Sequence, residues 1–104
     1  MKIHYSTKKL EKVLTSMQQI KKHYGKDFVK ITNRLSELRA ADNLKQIPEI
    51  PPPRRHKLFG NYAGCWGINF SKNDRIIIQP TGDYDINDLS TITEVIIVTL
   101  EDYH

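Results

Sequence analysis

The spacing of hydrophobic residues changes once along this chain of 104 residues, from the period of a helix to the period of a strand. The first stripe at helical spacing consists of Leu10, Val13, Leu14, Met17 and Ile20. It predicts an amphipathic helix over residues 7–23, with Ser6 as its cap and Gly25 as its end. A second stripe, which predicts a helix from Asp27 to about residues 42–43, consists of Phe28, Ile31, Leu35 and Leu38. The short gap between these helices favours an antiparallel pair with a shared core.

A proline-rich segment, residues 47–53, separates the helical half from the strand half. Proline lacks an amide hydrogen and fixes its own backbone, so we expect an extended, rigid spacer with polyproline geometry. A ligand segment for an SH3-type domain is the alternative interpretation.

Strand periodicity begins after this spacer. One face of the next predicted strand carries Trp66, Ile68 and Phe70. Because Trp66 shares that face with aliphatic and aromatic neighbours, we expect it to anchor the core rather than to stack on a base. Turn residues follow at 71–74, and residues 75–79 return as the second strand of a hairpin.

The final predicted strand, residues 94–102, is apolar on both faces and is therefore expected to lie in the middle of a sheet. Residues 83–93 before it form a polar loop with room for one helical turn at 86–89. A short strand at residues 2–5 completes the set. These elements predict one α+β domain over residues 1–104, with two N-terminal helices packed on a twisted antiparallel sheet.

Length and composition place the chain among small globular proteins. A length of 104 residues suits one core, and 38% hydrophobic and 27% charged residues are ordinary globular values. The longest apolar runs, residues 76–78 and 95–98, are too short to span a bilayer, and the start does not resemble a signal peptide. The single cysteine, Cys65, suits a reducing compartment. We therefore expect a cytoplasmic protein with no membrane association.

Charge is distributed unevenly along the chain. Residues 1–60 contain 14 Lys and Arg against 5 Asp and Glu, a balance of +9, whereas residues 61–104 contain 2 against 7, a balance of −5. A basic half suggests a polyanion or an acidic protein as partner. The alternative is that the lysines are ordinary solvated residues of helix surfaces.

The end of the chain contains the most informative candidate site, Asp102, Tyr103 and His104, which directly follow a buried strand. Such a strand holds a titratable histidine and a tyrosine at the rim of the sheet. Tyr103 is the better candidate for stacking on a base. Chain ends usually fray, so spacing alone favours a solvated tail over a site.

A second candidate is the basic run Arg54, Arg55, His56 and Lys57. Guanidinium groups pair with phosphate oxygens through two hydrogen bonds, and lysine adds a point charge. The alternative is a solvated strand edge that discourages aggregation. Arg75, the first residue of its strand, could reach the same groove, or it could pair with Asp74 or an acidic residue of the last strand.

Metal and thiol chemistry are poorly supported. The four histidines and Cys65 form no ligand pair at zinc-like spacing, and Cys65 has no neighbouring base. We expect neither a metal nor a cofactor.

Four segments together resemble the HigB-like toxins of the RelE/ParE superfamily, over about residues 28–104. They are the basic run through Gly60, the strand start at 66–68, the segment Asn73 to Ile77, and the ending at 101–104. The Asp-Tyr-His ending is the most specific of them. One position departs from the pattern: many members have lysine before the glycine that is Gly60 here, whereas this chain has Phe59, with Lys57 two residues earlier. The loop at 81–93 is also longer than in the smallest relatives.

The resemblance implies a RelE-like fold and a type II toxin that cleaves mRNA on the ribosome, an endoribonuclease of the mRNA interferase class. RNA supplies its own nucleophile, the 2′-OH, so cleavage needs proton transfer and charge stabilisation but no metal. The implied catalytic set is His56, Arg75, Asp102, Tyr103 and His104, and the implied RNA-binding set is Arg54, Arg55 and Lys57.

Within the catalytic set, we expect a division of roles. Arg75, with Arg54 or Arg55, stabilises charge on the phosphate. His104 acts as general acid or base, and Tyr103 stacks on or orients a base. Asp102 holds the geometry or assists proton transfer, and His56 or Lys57 supplies the remaining contact.

The implied partners are mRNA, the ribosome and a cognate antitoxin with a helix-turn-helix domain, similar to HigA. Two alternatives stay open. One is a ParE-like toxin that poisons a topoisomerase, and the other is a nucleic-acid-binding module without catalysis.

Overall fold

The computed structural model describes residues 1–102, of which the side chain of Asp102 is not described. Three helices lie in the first half: α1 (Lys8–Leu14), α2 (Met17–Tyr24) and α3 (Phe28–Ala40). The strands are β1 (Lys2–Tyr5), β2 (His56–Lys57), β3 (Trp66–Asn69), β4 (Asp74–Pro80) and β5 (Glu94–Asp102). The predicted hairpin, the first strand and the final strand are all confirmed.

The strands form one sheet in the order β1-β5-β4-β3-β2. The predicted α+β class and the central position of β5 are therefore confirmed. The expectation of a wholly antiparallel sheet is wrong, because β1 pairs with β5 in parallel while the other neighbours are antiparallel. Because most of the chain lies between β1 and β5, no hairpin turn connects them. The two strands are therefore free to pair in parallel.

The helices cover one face of the sheet and bury the main core against it. The most deeply buried side chains of this core include Leu14, Ile31, Leu35, Leu38, Ile76, Ile78 and Ile97. Trp66 belongs to the same core, as predicted. The opposite face has only a small apolar cluster among the described residues, formed by Leu58, Cys65 and Ile77. Three polar side chains of this second face, those of His56, Arg75 and Glu101, are partly exposed, and we call this face the open face.

The first predicted helix is divided in two. Ser16 has an extended backbone, with φ −126° and ψ 116°, and its hydroxyl accepts a hydrogen bond from the amide of Gln19. Ser16 thus caps α2, and Thr7 rather than Ser6 caps α1. A serine hydroxyl can accept a hydrogen bond from a backbone amide and so start a new helix. The apolar stripe can therefore continue in the sequence although the helix itself is interrupted.

The proline-rich segment is a compact turn, and the expectation of an extended polyproline spacer is wrong. The amide of Arg54 donates to the carbonyl of Ile50 at 3.1 Å, and the amide of Arg55 donates to the carbonyl of Pro48 at 2.9 Å. The Pro51–Pro52 peptide bond is cis. This turn brings Arg54 against β3, where the carbonyl of Pro53 accepts from the amide of Asn69 at 2.7 Å.

Short 3-10 turns lie in several of the connections between these elements. One of them is at Leu89–Thr91, so the expectation of a helical turn at residues 86–89 is wrong in its position. Across residues 1–102, no helix has the length and apolar character needed to cross a membrane.

Candidate active site

Four neighbouring strands bring a cluster of functional groups to the face of the sheet opposite the helices. His56 pairs with Gly67 across β2 and β3, and Arg75 pairs with Glu101 across β4 and β5. Gly67 in turn pairs with Ile77, which lies two residues beyond Arg75 on the same strand face. The sheet thus places His56 in one row and Arg75 and Glu101 in the neighbouring row of the same face, and we call these three residues the face cluster.

His56 is held by its own neighbourhood in the chain. Its Nδ1 lies 2.7 Å from the carbonyl oxygen of Arg54. Because a carbonyl can only accept, Nδ1 donates, and in a neutral ring Nε2 then carries the lone pair. Nε2 lies 3.5 Å from Nη1 of Arg75. The ring therefore presents a proton acceptor beside a permanent cation.

Arg75 is oriented by Glu101. Oε1 of Glu101 accepts from Nη2 of Arg75 at 2.7 Å and from Nε at 3.1 Å. The two side chains are 22% and 21% exposed, so the pair is neither buried nor fully solvated. Of the partners that the sequence allowed for Arg75, the structure selects an acidic residue of the last strand. Glu101 itself was missing from the predicted site.

Gly67 provides the space in which the face cluster assembles. A Cβ atom at this position would lie 2.8 Å from Cε1 and 2.9 Å from Nε2 of His56, and 3.2 Å from Cδ of Arg75. The first two distances are shorter than real Cβ atoms show, so His56 would have to move. Glycine thus lets the imidazole and the guanidinium approach each other over the strand.

Arg54 is exposed and has a positive φ of 41°, an unusual backbone conformation for a residue other than glycine. This conformation presents its carbonyl to His56. Strained backbone at such a position is typical of functional sites. Among the predicted RNA-binding residues, Arg54 is the one that the structure places next to the face cluster.

Arg55 has a structural position instead. It is 7% exposed, its Nε donates to the carbonyl of Ile47 at 2.8 Å, and its guanidinium stacks 5.4 Å from the ring centroid of Trp66. Its Nη2 also lies 3.4 Å from Oε1 of Glu49. The side chain therefore fastens the proline-rich turn to the core and does not reach the open face.

Lys57 is also separated from the face cluster. Its ammonium lies 5.7 Å from the ring centroid of Trp66, on the side of β2 opposite His56. Phe59, at the position where the resemblance led us to expect lysine, is 82% exposed. The structure thus brings His56 and Arg75 together but leaves Lys57 on the other face.

The predicted C-terminal residues are only partly within the described chain. The backbone of Asp102 ends β5 opposite Asp74, at the same end of the sheet as Arg75 and Glu101. The side chain of Asp102 and the whole of Tyr103 and His104 lie outside the described residues.

Cys65 belongs to the small apolar cluster on the same face of the sheet as the face cluster. Burial raises the pKa of the Cys65 thiol, which makes it a poor nucleophile. Among the described side chains, those of residues 1–101, no group of three His, Cys, Asp or Glu residues could hold a metal ion. The face cluster instead combines an anion-binding guanidinium with a proton acceptor.

Comparison with known proteins supports the fold. No protein-family model matches the chain, and no curated protein matches its sequence. The YoeB/ParE toxin from Agrobacterium tumefaciens has a TM-score of 0.60 at 12% identity, with 100% of both chains covered. Chains of the YoeB-YefM complex and of the heterotetrameric YoeB-YefM complex from Staphylococcus aureus each have a TM-score of 0.56 at 13% identity, covering 100% of this chain and 98% of theirs. The chain has the fold of these YoeB/ParE toxin structures.

Proposed function

We propose that this protein is the toxin of a type II toxin-antitoxin system, a HigB-like member of the RelE/ParE superfamily, and that it cleaves mRNA on the ribosome in the cytoplasm. The observation that carries the proposal is the face cluster: His56 and Arg75 meet over Gly67 on the open face of the sheet. The similarity of the fold to toxin structures supports it, as does the Asp-Tyr-His ending.

The chemistry is an attack of the RNA 2′-OH on the adjacent phosphorus. The O2′–P bond forms and the P–O5′ bond breaks, which leaves a 2′,3′-cyclic phosphate and a free 5′-OH. One group must take the proton of the 2′-OH and another must give a proton to the departing O5′. Negative charge builds on the phosphate oxygens between these two steps.

Arg75 supplies the charge in this scheme. Its guanidinium, oriented by Glu101, binds a non-bridging phosphate oxygen and stabilises the transition state. Nε2 of His56 lies beside the same oxygen and takes or returns a proton, since its lone pair is fixed by the bond from Nδ1 to Arg54. The distance of 3.5 Å between Nε2 and Nη1 leaves room for a phosphate oxygen to replace this weak contact.

The C-terminal residues complete the site in our proposal. His104 performs the second proton transfer, Tyr103 stacks on or orients a base, and Asp102 holds the arrangement. Lys57, on the opposite face, has no part in the chemistry, and Arg55 acts through the fold.

The proposed partner is an antitoxin with a helix-turn-helix domain, encoded beside this gene. Basic residues outnumber acidic residues by 14 to 5 in the first 60 positions, which suits an acidic segment of such a protein as well as RNA. One of the similar Staphylococcus aureus chains belongs to a heterotetrameric YoeB-YefM toxin-antitoxin complex, which supports a protein partner for this chain as well.

The test is induced expression with mapping of mRNA 5′ ends, for the natural chain and for His56→Gln, Arg75→Gln and His104→Ala. We expect growth arrest and new 5′ ends for the natural chain, and a loss of about 10²–10⁴-fold in cleavage for each variant. His23→Gln is the matched control, because His23 is exposed on α2 and far along the chain from the face cluster.

Two results would contradict the proposal. Growth arrest with an unchanged mRNA pattern, together with altered plasmid supercoiling, would identify a topoisomerase poison. Retained RNA binding with no cleavage by the natural chain, on ribosomes or free, would identify a non-catalytic module.

A further inference from the structure

A cavity of about 570 Å³ lies beside the face cluster, between α3, the proline-rich turn and the β3–β4 hairpin. We call it the hairpin pocket. Its apolar wall comes from Pro51, Pro52 and Phe70. Its volume and its half-open shape suit a group the size of one nucleotide.

The rim of the hairpin pocket is basic. Lys30, Arg54 and Lys72 line it from three different segments, all three side chains are exposed, and none makes an ion pair with residues 1–102. Among the described residues, no Asp or Glu lines the cavity. A concave surface with several uncompensated cations attracts an anion.

Asn69 gives the pocket a second recognition element. It is 7% exposed, it lines the cavity, and its side-chain amide has no hydrogen-bond partner within residues 1–102. Its amide atoms are not among the fully buried polar atoms that lack a partner, so they remain accessible to solvent or to a ligand. It offers both a donor and an acceptor, which matches the edge of a nucleobase rather than a simple anion.

The pocket is continuous with the face cluster through two residues. Asn69 pairs directly with Arg75 across β3 and β4. Arg54 lines the pocket, and its carbonyl accepts the hydrogen bond of His56. A strand of RNA whose phosphate contacts Arg75 therefore has this cavity within reach.

We propose that the hairpin pocket binds one nucleotide of single-stranded RNA, outside the position that is cleaved. The base packs against Phe70 and the prolines and pairs with the amide of Asn69, while Lys30, Arg54 and Lys72 hold its phosphate. This inference rests on the proposed RNA-cleaving function and adds a binding subsite to it. An acidic peptide, whose carboxylates could meet the cations and whose backbone could pair with the amide, is the alternative occupant that the test distinguishes.

The test uses the full chain and small probes that it cannot cleave. The four nucleoside 5′-monophosphates, the nucleosides without phosphate, and inorganic phosphate are titrated while the side-chain NH₂ resonances of Asn69 are followed by NMR. We expect saturable shifts with at least one monophosphate, and binding at least about tenfold weaker for its nucleoside and for phosphate alone, since each lacks half of the contacts.

The matched variants are the double substitution Lys30→Glu with Lys72→Glu, and the control Lys22→Glu. All three lysines are exposed, so folding is expected to be intact, and Lys22 does not line the pocket. The double variant should bind the monophosphate at least about tenfold more weakly and raise KM for RNA cleavage without lowering kcat. The control should do neither.

The outcomes separate this inference from the proposed function. Monophosphate binding is measured without cleavage, so it can succeed even if the chain cuts no RNA. Cleavage by the natural chain with equal monophosphate binding in all variants would overturn the subsite alone. Binding of an acidic peptide at Asn69, with no binding of any monophosphate, would overturn it in favour of a protein ligand.

Discussion

Arg75 and Glu101 face each other across β4 and β5, and one carboxylate oxygen of Glu101 accepts hydrogen bonds from two guanidinium nitrogens of Arg75, at 2.7 and 3.1 Å. Nη1 of the same guanidinium lies 3.5 Å from Nε2 of His56. Glu101 is thus a positioning residue: it sets the direction in which the cation of Arg75 meets a phosphate.

We expect Glu101→Gln and Glu101→Ala to differ in RNA cleavage. Glutamine keeps an oxygen acceptor for Arg75, so activity should stay within about threefold of the natural chain, whereas alanine releases the guanidinium and should lower kcat by about tenfold to a hundredfold. Single-turnover cleavage measures both. Equal activity of the two variants would show that Glu101 does not position Arg75.

A second prediction concerns Gly67, whose added Cβ would lie 2.9 Å from Nε2 of His56. Gly67→Ala should displace the imidazole and reduce cleavage by at least about tenfold, with a loss of about 1–3 kcal/mol in unfolding free energy. Gly82→Ala is the matched control, because its φ of 80° makes it costly for stability while its Cβ would touch nothing. Full activity in Gly67→Ala, with unfolding measured in urea for both variants, would contradict the proposed role of His56.

The sequence predicted the residues of this site better than their arrangement. His56 and Arg75 both belong to the predicted site, and the predicted hairpin places Arg75 at the start of its strand. Glu101 was not assigned, because its pairing with Arg75 depends on the register between strands separated by a loop of 13 residues, 81–93. The register between β4 and β5 also shifts between Ile77 and Ile78, where β5 contains one extra residue. Alternation of apolar residues along the sequence does not reveal such a shift.

Local and tertiary hydrogen bonds explain the other differences. The apolar stripe of the first helix continues through Thr15 and Ser16, so periodicity could not show that the Ser16 hydroxyl starts a new helix. Arg55 was predicted to bind phosphate because the contacts that bury it, with Ile47 and Trp66, are tertiary and leave no mark on the local sequence. Charge in the sequence does not distinguish an arginine that holds the fold from one that meets a ligand.

A third prediction is a pH dependence of stability from Cys65. Burial raises its folded pKa above the ordinary value of 9.0. As the pH rises above 9.0, the unfolded state loses the thiol proton before the folded state does. The unfolding free energy should therefore fall with increasing pH between pH 9.0 and the folded pKa. Below pH 9.0 this group should have no effect on stability. The difference in unfolding free energy between the natural chain and Cys65→Ala, measured in urea at about pH 7 and about pH 10, isolates this effect from other groups. A constant difference would mean that the thiol is not desolvated.

The last prediction contrasts two neighbouring arginines. Arg55→Ala removes the bond to the carbonyl of Ile47 and the packing on Trp66, and should lower the unfolding free energy by about 2–3 kcal/mol. Arg54→Gly instead relieves the positive φ of 41° and should leave stability unchanged or raise it by up to about 1 kcal/mol, while weakening monophosphate binding in the hairpin pocket. Urea unfolding and the NMR titration measure the two effects separately. Two results would contradict the assignment of Arg54 to the ligand and Arg55 to the fold. One is that Arg54→Gly is destabilised as much as Arg55→Ala. The other is that Arg55→Ala keeps full stability and loses RNA binding.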